Sequence, residues 1–186
     1  MTRTDPQNFT TLLDSIAKRR SAGDGAGSAE SSTHIPAPAV RAADIPQEVE
    51  DALQPAETGV LDQLGHTKDT ADSGVQRFLA GDISDGEFDD LLDQLMESNR
   101  IQFEQLQDSA RDKLKSLGSL HPDWREMILS AFQAASDLLI EVLTREVGFL
   151  ESLAENPTQQ AGQVDEFFSG LVNYLTDGWS RILGDQ

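Results

Sequence analysis

Beyond Gly81, large apolar side chains recur every third or fourth position; before it they are sparse, and Gly, Ala, Ser, Pro and acidic residues dominate. The contrast divides the chain into segments 1–20, 21–82 and 83–186. In the last, Phe88, Leu92, Leu95, Asn99, Phe103, Leu106, Ala110, Leu114 and Leu117 advance at the period of one helical face, widened by Leu91 and Met96. Ser84 and Glu87 have the spacing of a capping box, and Asp85 adds acid to the first turn. A helix is therefore predicted over 84–117, with Gly118 as its C-cap.

Pro122 suits the first position of a second helix, predicted over 122–155 and ended by Asn156-Pro157. One row on it holds Trp124, Ile128, Ala131, Ala135, Leu138, Val142 and Phe149; Met127, Leu139, Leu143 and Leu150 lie beside it. So broad a stripe implies more than one neighbour. A third helix over 163–183 carries Val164, Phe167, Phe168, Leu171, Val172, Leu175, Trp179, Ile182 and Leu183 on its apolar face. Short connections favour antiparallel neighbours, so the expected fold is all-α, an antiparallel three-helix bundle.

The first two segments differ in kind. Asp5 can cap a helix opened by Pro6, and Phe9, Leu12, Leu13 and Ile16 then make one apolar stripe closed by Lys18, Arg19 and Arg20. So short a helix is marginal in water, so it needs a docking surface: another protein's groove or this chain's own bundle. Segment 21–82 reads as an acidic tether. Residues 21–44 are Gly/Ser- and Pro-containing with too few apolar side chains to offset ordering, so disorder is expected. Residues 45–80 suggest short helices, the first ended by Pro55.

Charge sharpens this picture. The net charge is −19, made up of +2 over 1–20, −8 over 21–82 and −13 over 83–186. Such a field repels nucleic acid and anionic lipid, and it attracts basic partners at a rate that falls with salt. A solubility surface or an adaptation to high salt is the favoured reading, because net charge constrains solubility more than partner choice. Cysteine is absent, which removes disulfides, thiolate metal sites and thiol nucleophiles. No apolar run approaches the ~20 residues of a membrane span, and Met1 to Asn8 lacks a signal-peptide core. The expected location is the cytoplasm, a larger particle, or export without a cleaved signal.

Candidate chemistry is thin. GDISDGEFDD evokes a calcium loop, but counting from Asp82 puts Gly86 at position 5 rather than 6 and Asp93 at 12 where Glu belongs. His34, His66 and His121 are far apart and offer no metal-ligand spacing on one helix. Neither a phosphate-binding glycine loop nor a G-x-S-x-G nucleophile occurs. Catalysis, metals and cofactors are therefore not expected. Asn99, at the middle of the first stripe, either faces inward and sets helix register or oligomeric state, or lies exposed at the rim.

The residues selected for partner binding are Phe9, Leu12, Leu13 and Ile16 on the N-terminal helix and Phe167, Phe168, Leu171 and Trp179 on the last; plain bundle core is the competing role for the second set. The leading functional expectation is a non-enzymatic assembly, scaffolding or adaptor protein of a larger particle, binding protein partners, basic ones among them, and self-associating. The alternatives are a coat on a lipid or storage-granule surface and an exported effector or translocator.

Overall fold

The computed structural model describes residues 5–18 and 45–183, which form six α-helices: α1 Pro6–Lys18, α2 Gln47–Ala80, α3 Asp85–Leu120, α4 Arg125–Glu155, α5 Pro157–Gln160 and α6 Val164–Leu183. The all-α bundle is as the periodicity predicts. A fourth long helix, α2, joins the three expected ones, and α1 lies along the outside. The Gly/Ser-rich part of the expected tether, with Arg19 and Arg20, lies outside the described residues.

Helix α2 corrects the reading of 45–80 as short pieces. It is continuous for 34 residues, with Pro55 inside it. Pro55 is tolerated because it is exposed: its missing N–H and its ring disturb only the solvent side. The inner face runs Val49, Leu53, Ala56, Val60, Leu64, Thr67, Ala71 and Val75, all buried. Two glycines let α3 approach closely. A Cβ on Gly59 would clash with Leu106, and one on Gly74 would press on Leu91 and Phe88. Gly81, at φ 77°, ends the helix, with Gly81 N–H donating to Phe78 O (3.0 Å) and Asp82 N–H to Arg77 O (2.9 Å). This is a Schellman cap, and the compositional break at Gly81 is a helix terminus rather than the end of a tether.

The capping box of α3 forms as its spacing predicts. Glu87 N–H donates to Ser84 Oγ (3.4 Å) and Ser84 N–H to Glu87 Oε2 (2.8 Å), which holds the Glu87 carboxyl below its ordinary range. The far end differs from expectation. Gly118 is an interior residue of α3, which continues to Leu120, and its missing side chain serves packing instead of a cap. A 3₁₀ turn at Pro122–Trp124, with His121 stacked on Trp124 at 3.9 Å, leads into α4. Segment 122–155 is long and apolar enough, by length and composition, to cross a membrane, contrary to the expectation from the sequence; here half of its most apolar window is buried by the other helices.

The four long helices close into a ring in the order α2, α3, α4, α6, each packed on the next and α6 returning to α2. Gly59 meets Leu106 while Gly74 meets Leu91, so α2 and α3 are antiparallel. Asn99 meets Glu146 and Arg125 meets Gly118, which sets α3 against α4 likewise. Leu138 packs over Gly178, and Phe149 stacks on Phe167 at 4.0 Å, so α4 and α6 are antiparallel too. The result is an up-down-up-down four-helix bundle.

Candidate functional site

Two features stand apart from ordinary bundle packing: the seat of α1 and a polar layer across the core. Asp5 precedes α1 and caps it: its Oδ1 accepts from Gln7 N–H (2.9 Å). Its stripe turns inward on the α3–α4 edge of the bundle. Phe9 (2% exposed), Leu13 (0%) and Ile16 (7%) are buried, and Leu12 is half-buried. Of the two docking surfaces open to this helix, the structure shows the chain's own bundle.

The seat is specific. The Phe9 ring rests on the bare backbone of Gly118, filling the place a side chain would take. The buried Arg125 guanidinium lies 5.7 Å from the Phe9 ring centroid, and its Nε–H donates to Gly118 O (2.8 Å). One arginine thus satisfies a carbonyl at the C-terminal end of α3 and flanks the aromatic anchor of α1. On the rim, Asp14 Oδ1 accepts from Lys115 Nζ (2.6 Å) and lies 3.6 Å from Arg111 Nε. Arg111 is shared with Asp108 and Asp112 on its own helix. These partly exposed pairs orient α1 more than they hold it.

The aromatic face of α6 is also internal. Phe168, Leu171 and Trp179 are buried, and Phe167 is half-buried on Phe149. All four serve the bundle core, the competing role weighed for them. At the α4–α6 rim, Arg145 lies 4.2 Å from the Tyr174 ring centroid and pairs with Glu141 at 2.6 Å.

The polar layer joins three helices. Asn99 of α3 donates through Nδ2 to Thr67 Oγ1 of α2 (2.8 Å) and to Glu146 Oε1 of α4 (2.8 Å); Thr67 Oγ1 donates to Gln63 O (3.0 Å). All three side chains are buried. Burial pushes the Glu146 carboxyl up to about 7, while hydrogen bonds with Thr67 and Asn99 pull the other way. Of the two places open to Asn99, inward or rim, it takes the inward one, and its partners fix which residues of α2 and α4 face it. Glu146 was not foreseen, although it lies four residues after Val142 and three before Phe149 of the apolar row, a spacing that marks an inward position.

Among the described residues, no group of three or more His, Asp or Glu side chains is placed to hold a metal ion. The acids Asp85, Asp89, Asp90 and Asp93 at the start of α3 are exposed. No protein-family model, no curated protein and no solved structure matches this chain.

Proposed function

We propose that the chain is a non-enzymatic assembly or adaptor protein that works by releasing and re-docking its N-terminal helix on an acidic four-helix bundle. The observation that carries this reading is the way α1 is attached: three buried apolar side chains seat it on an outer edge, and 28 residues, 19–46, separate it from α2. A 13-residue helix is marginal alone in water, so α1 folds as it docks, on its own bundle or on a partner. The ring of four long helices does not need α1 to close, which makes the released state a folded one. The acidic surface supports protein partners, basic ones included, over nucleic acid. The coating reading finds less support, because the α6 aromatics that motivated it face inward.

The test is affinity capture with α1 in three states: docked in the wild type, released in Gly118→Leu, and disabled in Gly118→Leu with Phe9→Asp. A partner of α1 is enriched by release and lost when Phe9 is also replaced. Equal capture by all three would show that α1 recruits nothing.

A further inference from the structure

We infer that the groove between α3 and α4 also accepts α1 from a second copy of this chain, so that copies brought together exchange N-terminal helices. This rests on the reading of α1 as a separable helix. The seat is selective in three ways: Gly118 leaves a notch the size of a ring edge, Arg125 flanks that ring, and Lys115 with Arg111 meets an acid five residues on, at Asp14. The segment known to fit all three is α1, and every copy carries one.

The covalent connection does not bind α1 to its own groove. Twenty-six residues, 19–44, span up to about 90 Å when extended. The longest bundle helix, α3, has 36 residues and measures only about 54 Å. Exchange repeats the same contacts and so changes no packing within either seat. What it must overcome is the effective concentration that covalent attachment gives α1, of order millimolar. Dilute chains are therefore closed on themselves. Copies crowded at comparable local concentration, as in an assembly, trade helices and become linked.

Charge supports the same occupant. The first half of α3, Asp85–Phe103, has six acids and one base, whereas Glu104–Leu120, which carries the seat, has three of each. The groove is thus relieved of the repulsion that the rest of the acidic bundle would impose on another copy. Segment 1–20 has a net charge of +2, so the acidic bundle of a second copy does not repel it as it repels segments 21–82 and 83–186.

The test pairs two full-length variants that remove competition within one chain. Gly118→Leu has a blocked groove and a free α1; Phe9→Asp has a free groove and a disabled α1. Mixed at about 100 μM, they should form a one-to-one complex by light scattering, while each alone stays monomeric. In the wild type, 15N-labelled and unlabelled chains are mixed, incubated from micromolar to millimolar concentration and treated with a carbodiimide. This joins Asp14 to Lys115 where they pair. Mixed-isotope Asp14–Lys115 peptides should rise with concentration, at least tenfold across that range. If only like-isotope linkage appears at every concentration, exchange is ruled out, even where a variant misfolds. Amide exchange separates the two claims. If α1 opens while the bundle stays protected but no mixed linkage forms, exchange fails and the separable helix stands.

Discussion

The Phe9 ring occupies the space of a side chain on Gly118, nearer than van der Waals contact with a Cβ allows. The missing methyl of one helix is thus the socket for the anchor of another. Gly118→Ala should have opposite effects on two parts of the molecule. Alanine favours the interior of α3 by up to about 1 kcal/mol, while its Cβ pushes Phe9 and α1 off their seat. The expected outcome is an unchanged or higher melting temperature for the bundle, with α1 amides losing protection by at least tenfold. Thermal melts and residue-resolved amide exchange on the same variant read both.

Glu146 gives the bundle a pH dependence of its own. Its carboxyl keeps its proton to about 7 when folded, against about 4.5 in the unfolded chain. Between those values only the folded state holds the proton, so this residue's contribution to stability falls as pH rises and levels off above 7. Glu146→Gln retains an acceptor for Asn99 without the charge. It should match the wild type near pH 4 and exceed it at pH 8 by about 3 kcal/mol. Urea titrations across that range check it; a pH-independent difference would contradict the assignment.

Asn99→Ala removes the donor shared by Thr67 and Glu146 in the core. The loss should be about 2–4 kcal/mol, larger at pH 8 than at pH 5, because an ionised carboxylate is then left without one of its hydrogen-bond donors. Adding Glu146→Leu should recover part of that loss. Denaturation of the single and double variants measures the coupling.

Gln107 is a different case. It is 2% exposed and neither amide atom meets a partner among the described residues. Gln107→Met keeps the length and removes the polar atoms, and should stabilise the bundle by about 1–2 kcal/mol. Pro55 offers a comparable gain on the surface. It cannot donate to the Asp51 carbonyl from within α2, so Pro55→Ala should raise stability by about 1–3 kcal/mol. Both are read from denaturation midpoints.

How far these features were legible in the sequence depended on contrast. Helix α3 announced itself through Ser84, Glu87 and a row of Phe and Leu. Helix α2 did not, because its inward row includes Ala56, Thr67, Ala71 and Gly74, too small or polar to stand out from its surface. Its spacing of three and four was nevertheless present from Val49 to Val75, and the helix-weakening residues Pro55, Gly59, Gly65 and Gly74 obscured it. The stripe of α1 was visible, but its destination was not: sequence periodicity reports that a face is buried, not what buries it. Gly118 shows the same limit. A glycine near the end of a predicted helix suits a cap as well as a close approach, and only its contact with Phe9 decides between them.

The most direct test of the account is native-state amide exchange on the wild-type chain. If α1 is a separable helix on a self-sufficient bundle, its amides exchange through local opening, at least a hundredfold faster than the slowest amides of α2, α3, α4 and α6. If α1 amides exchange only with global unfolding, α1 is an integral part of the core, and the proposal that it is released to bind partners is wrong.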